Sequence, residues 1–344
     1  TEKGQWRKET VVGSLKSGVY DGTPHGGYYT QDDIREVVAF AASLGIDVIP
    51  EVDMPGHSLK IIESFPHLCC KGTASWGKDF SVPLCPGNDQ TLEFAKTVYS
   101  EIFELFPYDY VHLGADEVEK SHWIACPKCQ ARKAEYSLAD ESDLQDWFVK
   151  ELENFFMDNG KTMIGWDEIA AKSSLSGSAV VEWWRSWSPA TKKNAAENGN
   201  KIILCPNEYY YMDVDQNRNS LMKVYRYEPI DEILKPFEDQ VLGSHGNLWT
   251  EWVASFEAAG HRYFPRMFAI SELNWSDPSS RDEAGFLSRV ITHLRKLVHI
   301  ISDFLLKLCH KLGIVVPSAP HIKPPYSRTL RKLMRKAFSE RIAR

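Results

Sequence analysis

Residues 110–118 read YVHLGADEV, an apolar run that ends, after a small-residue turn, in two adjacent carboxylates. The apolar run is typical of a buried strand. Neighbouring side chains of a strand point to opposite faces, so only a turn can aim Asp116 and Glu117 into one cavity. In such a cavity, repulsion and partial burial would keep one carboxylate ionised and raise the pKa of the other. The segment predicts an acid–base pair or, in the simpler interpretation, a strand end with two solvated acids.

The same arrangement recurs along the chain. A helix capped at residues 31–33 is expected to stop at Gly45, and further helices are predicted over about 91–106, 144–159, 261–273 and 286–297. Six strands are predicted, at 46–50, 110–113, 162–165, 179–182, 201–204 and 241–243. Acids or aromatic residues follow each strand, and in a β/α barrel these strand ends open on the face that carries the active site.

The pattern predicts an α/β fold of the (β/α)8 TIM-barrel type. A closed barrel has about eight strands, so two are not recognised. The first thirty residues look like a loop, and we expect the missing strands to be the first two, with the chain a fragment of a longer protein. Without them the sheet would have open edges.

Composition is that of a soluble globular protein with a substantial core: 344 residues, 43% hydrophobic and 12% aromatic. A formal charge of -7 gives no indication of nucleic-acid binding. No apolar run approaches the ~20 residues of a membrane span, and no signal peptide is visible at Thr1. From Arg295 onward about 12 Lys and Arg stand against 2 acids. We therefore predict a barrel domain over residues 1–298 and a basic tail of unknown role over 299–344.

The seven cysteines do not indicate a disulfide framework, because their number is odd and they are scattered over a large chain. Cys126-Pro127-Lys128-Cys129 has the spacing of half a zinc site. No second pair with suitable spacing follows it. The sequence therefore predicts neither a metal nor a cofactor.

Five ordered motifs resemble those of glycoside hydrolase family 20, the β-N-acetylhexosaminidases. His112 to Glu117 is similar to the family's His-x-Gly-Gly-Asp-Glu signature. The other four motifs are Gly26-Gly27-Tyr28-Tyr29-Thr30, Glu51-Val52-Asp53-Met54-Pro55-Gly56-His57-Ser58, Gly165-Trp166-Asp167-Glu168 and Asn247-Leu248-Trp249-Thr250-Glu251. A Cys-Pro-x-Cys-Gln segment after the Asp-Glu pair is similar to that of Bacteroides-like bacterial members. The resemblance covers about residues 5–300.

The resemblance implies a retaining, substrate-assisted reaction on terminal non-reducing β-linked GlcNAc or GalNAc, in glycans or chito-oligosaccharides. The substrate's own 2-acetamido oxygen attacks the anomeric carbon and forms an oxazolinium-like intermediate. Glu117 would be the general acid, and Asp116 would stay ionised and bind the acetamido N–H. The resemblance alone implies a periplasmic or secreted protein.

Further roles follow from the matching motifs. The acetamido methyl would be enclosed by Trp166, Trp184 and Trp249, and the acetamido oxygen would be bound by Tyr211. The outer hydroxyls of the sugar would be held by Asp213 and Glu251. The supporting residues that orient the carboxylates would be Asp53, His57 and His112. Without the resemblance, each Trp is interpreted as a core residue and each His as an interior residue whose hydrogen bonds are satisfied. Trp183 is an alternative to Trp184 for lining the acetamido group.

The chain departs from the family pattern at the turn and at its start. Ala115 replaces a glycine, which costs about 1 kcal/mol or more if its φ is positive. An arginine that binds the sugar's O3 and O4, and an aspartate that supports the motif histidine, belong to the two strands that are not recognised. One alternative is therefore an inactive, truncated glycan-binding remnant with a basic tail.

A second alternative is a metal-dependent barrel hydrolase. It would use the acids and histidines near the strand ends, namely His25, Asp53, His57, His112 and Asp116. These residue types suit a metal ion, but no His-x-His or similarly close ligand pair occurs among them.

Overall fold

The chain forms two compact units. The computed structural model describes residues 27–70, 81–172, 175–216, 219–250, 253 and 256–296. The sheet unit comprises 27–207 and 230–243, and the helical unit comprises 208–229 and the described residues from 244 onward. His25, Glu251 and the predicted basic tail lie outside the described residues. No helix in the described part of the chain is long and apolar enough to span a membrane.

The sheet unit is organised around a five-stranded sheet whose spatial order follows the sequence. Its strands are β1 Tyr110–His112, β2 Thr162–Trp166, β3 Val180–Trp183, β4 Lys201–Leu204 and β5 Val241–Ser244. The pairs β1–β2, β2–β3 and β3–β4 are parallel. All four residues of β3 are buried, as expected for a parallel sheet covered on both faces. These strands confirm the predicted α/β fold.

The predicted strand over residues 46–50 is wrong as a regular element. The chain pairs with β1 one step later, through a parallel bridge between Glu51 and His112. Pro50 has no N–H to donate, and the pairing begins where its carbonyl accepts from the His112 N–H at 2.9 Å. Ile46 and Ile49 are 53% and 43% exposed, so their apolar side chains do not mark a buried strand.

Seven α-helices accompany the sheet within the described residues of this unit. They are α1 Gln31–Ser43, α2 Leu59–Ser64, α3 Asp89–Leu105, α4 Ser121–Ile124, α5 Pro127–Glu135, α6 Glu141–Asp158 and α7 Pro189–Glu197. Thr30 and Asp33 form a reciprocal capping box at the start of α1, and Gly45 follows its end with φ +71°. The Asp140 side chain caps α6 by accepting from two backbone N–H groups.

The core of the sheet unit lies between the sheet and the long helices α3 and α6. Leu144, Phe148, Leu152 and Phe156 recur at helical spacing on α6 and are fully buried. The Phe156 ring meets Tyr99 of α3 edge-on, with the ring centroids 4.7 Å apart. This packing fixes the C-terminal end of β1, where the two carboxylates follow.

The helical unit has a second core. Its helices are α8 Asn207–Tyr210, which leads into the unit, α9 Leu221–Tyr225, α10 Phe256–Tyr263, α11 Arg266–Trp275 and a helix over residues 283–296. Tyr225 and Phe286 stack with centroids 4.1 Å apart. The single helix predicted over 261–273 is wrong: the chain breaks at Pro265, whose ring and missing N–H interrupt helical hydrogen bonding.

Candidate active site

The turn after β1 has an unusual backbone. Gly114, Ala115 and Glu117 have φ values of +79°, +74° and +49°. This left-handed run replaces the alternation of a strand, so both carboxylates reach the same partner. His57 Nε2 lies 3.6 Å from Asp116 Oδ2 and 3.4 Å from Glu117 Oε2. The structure therefore brings together three of the residues that the sequence predicts for the site.

Asp53 holds this turn in place. Its Oδ1 accepts from the Ala115 N–H at 3.0 Å. A Cβ added at Gly114 would lie 2.1 Å from the same oxygen and 2.8 Å from the Asp53 Cα, so only glycine fits. The close approach of Asp53 and the positive φ both require glycine at position 114.

Asp53 and Asp116 share a side-chain hydrogen bond. Burial and the neighbouring charge of Asp116 raise the pKa of Asp53 well above its usual range. Burial also acts to raise the pKa of Asp116, but hydrogen bonds from His57 and Asp53 outweigh it, and the pKa falls. Of the two carboxyls, Asp116 is therefore the one that ionises more readily.

His57 supplies the positive charge at this pair. Burial lowers its pKa, but its contacts with Asp116 and Glu117 outweigh burial and raise it to about 10. The ring is therefore an imidazolium at neutral pH. Asp116 Oδ1 is buried and accepts no hydrogen bond from the described residues. The site thus contains a stabilised carboxylate with one inward-facing oxygen available.

His112 lies between two other acids. Its Nδ1 accepts from the Gly114 N–H at 2.9 Å and lies 3.4 Å from Glu51 Oε1, and its Nε2 lies 3.5 Å from Glu182 Oε2. The indole of Trp166 donates to Glu51 Oε1 at 2.9 Å and packs against the His112 ring. His112 therefore positions the turn through Gly114 and packs against Trp166.

Trp184 is held by a second acidic cluster. Its indole N–H donates to Glu168 Oε2 at 3.1 Å, and its backbone N–H donates to Asp167 Oδ1 at 3.2 Å. Burial and the neighbouring Asp167 raise the pKa of Glu168 to about 8, despite the nearby Arg185. Trp183 is the alternative to Trp184 from the sequence analysis. Its ring centroid lies 4.0 Å from the Nζ of Lys192.

The fully buried Asp167 organises the loop after β3. It accepts from the backbone N–H of Arg185, from the Arg185 side chain at 2.9 Å and from the Thr191 hydroxyl at 2.6 Å. These contacts satisfy a charge that would otherwise be costly to bury. The sequence motif includes Asp167 and Glu168 but gives no indication of their partners. Glu51, Glu182 and Arg185 were also missed as site residues, although each lies at or just past a strand end.

The remaining predicted residues belong to the helical unit. Tyr211 forms a parallel bridge with Asn247, and the Asp213 carbonyl accepts from the Arg262 side chain. Trp249 is 36% exposed. Glu251 lies outside the described residues. The participation of Tyr211, Asp213, Trp249 and Glu251 in one site with the carboxylates stays a prediction.

Among the described residues of the sheet unit, two groups of side chains have spacing that could suit a metal ion. Asp53, His57 and Asp116 offer ligand atoms within 4.8 Å of one another. These three residues belong to the set that the alternative of a metal-dependent barrel hydrolase would use. The other group consists of Cys70, Cys85, Cys126 and Cys129. The expectation that Cys126 and Cys129 have no second pair of cysteines to form a four-cysteine site is therefore wrong.

Comparison with known proteins identifies the family. The model of glycosyl hydrolase family 20, catalytic domain, matches residues 1–278. The chain belongs to glycoside hydrolase family 20. A β-hexosaminidase of Porphyromonas gingivalis is 35% identical over 315 residues, which are 84% of this chain and 40% of that protein. A β-hexosaminidase of Vibrio furnissii is 34% identical over 72% of this chain and 43% of that protein.

Solved family 20 structures agree with the fold. One is the exo-β-N-acetylglucosaminidase of Vibrio harveyi, solved with N-acetylglucosamine, which has a TM-score of 0.73 and 34% sequence identity. The match covers 79% of this chain and 45% of the Vibrio harveyi chain. The β-N-acetylhexosaminidase of Bacteroides fragilis has a TM-score of 0.72 and 28% identity, covering 87% of this chain and 61% of its own. This family 20 chain spans less than half the length of the Porphyromonas and Vibrio relatives.

Proposed function

We propose that this chain hydrolyses terminal non-reducing β-linked N-acetylglucosamine or N-acetylgalactosamine with participation of the substrate's acetamido group. The observation that carries the proposal is the position of Asp116: it is buried, it shares His57 with Glu117, and its Oδ1 accepts no hydrogen bond from the described residues. A buried carboxylate acceptor is suited to an acetamido N–H and to the positive charge that develops on it. Family membership and the β-hexosaminidase relatives support the same reaction.

In the first step, Glu117 gives its proton to the glycosidic oxygen as the bond from that oxygen to the anomeric carbon breaks. The acetamido oxygen supplies the electron pair to the anomeric carbon, which forms the oxazolinium ring, and Asp116 accepts the acetamido N–H. In the second step, Glu117 takes a proton from water as that water attacks the anomeric carbon, and the bond from the anomeric carbon to the acetamido oxygen breaks, which restores the neutral acetamido group. The configuration at the anomeric carbon is retained because it is inverted twice.

Trp166 and Trp184 are proposed to line the site for the acetamido group. Their indole N–H groups are engaged by Glu51 and Glu168, so their rings are held in fixed orientations. We further propose that Tyr211, Asp213, Trp249 and Glu251 complete the sugar site. Chito-oligosaccharides or glycans with such termini are the proposed substrates, and export to the periplasm or medium is proposed on the family resemblance.

The test measures aglycone release from chromogenic β-N-acetylglucosaminides by the 344-residue chain and by Glu117→Gln and Asp116→Asn variants. Loss of a general acid lowers kcat by about 10² to 10⁴. Glu117→Gln should lose most activity on poor leaving groups, which need protonation, whereas Asp116→Asn should lose activity on good and poor leaving groups alike. Glu104→Gln, at an exposed position of α3, is the control.

A substrate that lacks the acetamido group should not be hydrolysed. Equal turnover with and without that group would contradict the proposed mechanism. A folded chain that binds N-acetylglucosamine in calorimetry without turning over any of the chromogenic substrates would contradict hydrolysis and support a glycan-binding protein.

A further inference from the structure

Four cysteines from three separate places converge in the sheet unit. Cys70 follows a 3₁₀ turn at Pro66–Leu68, and Cys85 lies in the loop before α3. Cys126 is the N-cap of α5 and Cys129 lies in its first turn. Their Sγ atoms all lie within 4.8 Å of one another.

The sulfur spacings suit one central ion. Cys129 Sγ lies 3.6 Å from both Cys70 Sγ and Cys85 Sγ, and Cys85 Sγ lies 3.7 Å from Cys126 Sγ. A tetrahedral ion with metal–sulfur bonds of about 2.3 Å places its sulfurs about 3.8 Å apart. A disulfide requires about 2.05 Å, and Cys129, equally far from two sulfurs, does not single out a partner. All four cysteines are free.

The backbone holds these side chains in place. Cys69 and Leu84 form an antiparallel bridge, and the Cys85 N–H donates to the Leu68 carbonyl at 2.8 Å. A Cβ added at Gly87 would lie 2.3 Å from the Cys129 backbone nitrogen, so glycine permits the loop after Cys85 to reach the start of α5. The N-terminal end of a helix favours thiolates through its dipole.

The site is enclosed by apolar side chains. Cys70, Cys85 and Cys129 are 5%, 2% and 0% exposed, and they pack in one cluster with Val118, Trp123 and Leu144. Four uncharged thiols would leave a buried group of weak donors and acceptors with few good partners. Thiolates around a divalent cation satisfy one another through the metal instead.

We propose that Cys70, Cys85, Cys126 and Cys129 bind one structural zinc ion. Four thiolates in a tetrahedral arrangement select zinc over harder cations such as magnesium and calcium. With no ligand position left for water, the ion would have a structural role, like other closed four-cysteine sites. This assignment is independent of the proposed hydrolysis.

The ion would also secure the turn that carries Glu117. Leu84, next to Cys85, donates its N–H to the Pro55 carbonyl at 2.8 Å and accepts from the Trp123 indole at 3.0 Å. In the same loop, the Ser81 hydroxyl donates to the Glu117 carbonyl at 2.5 Å. A metal that joins this loop to α5 would therefore hold both sides of the Asp116-Glu117 segment.

The first experiment measures metal content by inductively coupled plasma mass spectrometry, on the untagged 344-residue chain after exhaustive dialysis. We expect one zinc per chain, released when a mercurial reagent titrates the thiols. The Cys129→Ser variant should retain less than about a tenth of this zinc, because structural sites depend on every ligand. Cys69→Ser and Cys205→Ser, which remove cysteines outside the cluster, should retain all of it.

A second measurement does not depend on the variants folding. Replacing zinc by cobalt(II) in the unmodified chain should give sulfur-to-cobalt charge-transfer bands and the visible bands of a tetrahedral ion. A chelator that strips the metal should lower the thermal midpoint, and added zinc should restore it. Two disulfides in mass spectra of non-reduced peptides, iron in place of zinc, or a metal-free folded chain with four titratable thiols would each overturn the proposal.

Discussion

At the turn after β1, three residues with positive φ put both carboxylates beside one histidine. Ala115 adopts this geometry at a cost of about 1 kcal/mol in left-handed strain, since its φ is positive. Its methyl is fully buried, and burial offsets part of that strain. Gly114 cannot be replaced in the same way, because Asp53 occupies the space.

Gly114 and Gly160 have similar positive φ values, so comparing them distinguishes the cost of backbone strain from the cost of a steric clash. Gly160, after α6, has φ +68° and open space where a Cβ would lie, whereas a Cβ at Gly114 would collide with Asp53. Gly160→Ala should lower the free energy of unfolding by about 1 kcal/mol and leave activity unchanged. Gly114→Ala should cost about 3 kcal/mol and lower kcat/KM by about 10², through displacement of Asp53. Denaturant unfolding and kinetics on both variants check this, and equal losses would contradict it.

His57 should make stability depend on pH. Its pKa rises from an unfolded value of about 6.5 to about 10 in the folded chain. A raised pKa means that the folded state binds the proton more tightly, so the stabilisation is fully present below about pH 6.5 and is lost as the pH rises through about 10. The free energy of unfolding of the chain should exceed that of His57→Gln at pH 6, and the difference should shrink towards pH 10.

Urea unfolding at a series of pH values measures this difference. His67→Gln, at an exposed histidine, is the control for removal of a surface imidazole. A difference that grows with pH would show that His57 is not held as an imidazolium by Asp116 and Glu117.

Much of the site's chemistry could be predicted from residues next to strand ends. Asp116, Glu117 and His57 meet as their positions suggest. The raised pKa of Asp53 could not be predicted, because it depends on burial and on a carboxylate 63 positions away in the chain. The cysteine cluster was missed for a similar reason: Cys70 and Cys85 precede Cys126 and Cys129 by 41 to 59 residues and come from loops without a spacing rule.

At the scale of elements, the loop after β3 depends on one buried carboxylate. Asp167 joins the end of β2 to Trp184, Arg185 and α7 through Thr191. Removing one partner of a buried ion pair leaves the other charge uncompensated. The orientation of Trp184 therefore depends on Asp167 as well as on Glu168.

Asp167→Asn should lower the free energy of unfolding by about 3 kcal/mol, since Arg185 loses the nearer of its two carboxylates, at 2.9 Å, and keeps only Glu168 at 3.5 Å. It should also raise KM for the chromogenic substrate, because Trp184 loses its fixed position. Asp32→Asn removes a carboxylate from the exposed Arg35 pair and should change neither quantity measurably. Urea unfolding and steady-state kinetics test both variants; an Asp167→Asn variant as stable as the parent would contradict the role assigned to Asp167.

Helices and strands were predictable where one local rule dominated. The two residues of the capping box, Thr30 and Asp33, are three positions apart, and successive core positions on α6 are four apart, so each signal is local in sequence. The interpretation failed at residues 46–50, where apolar character did not mean burial, and at 261–273, where Pro265 was read as part of a continuous helix. Strand pairing and helix breaks depend on which backbone N–H groups can donate hydrogen bonds. The periodicity of hydrophobic residues contains no information about these groups.

At the scale of the whole molecule, α1 and the residue after it expose large apolar side chains. Phe40 and Leu44 are 67% and 60% exposed. Large apolar side chains grouped on a surface favour association in water. The sheet unit therefore has a face that should make this 344-residue chain associate at high concentration.

Replacing both side chains, as Phe40→Gln with Leu44→Gln, should reduce association measured by light scattering. The free energy of unfolding should change by no more than about 0.5 kcal/mol, because neither side chain is buried. Phe156→Ser, at a fully buried position, should cost about 3 kcal/mol or more and serves as the contrast. A large loss of stability in the double variant would show that these side chains are covered in solution.

The division of the chain into two interleaved units has a consequence for its synthesis. The sheet unit takes its first four strands from residues up to 207 and its fifth from 241–243, after the first segment of the helical unit. When β4 of the nascent chain has just left the ribosome, the sheet has an unpaired edge at Ile202 and Leu204. That edge must wait for more than thirty further residues before β5 can cover it, and translation pauses in this interval prolong the period in which the chain needs a chaperone.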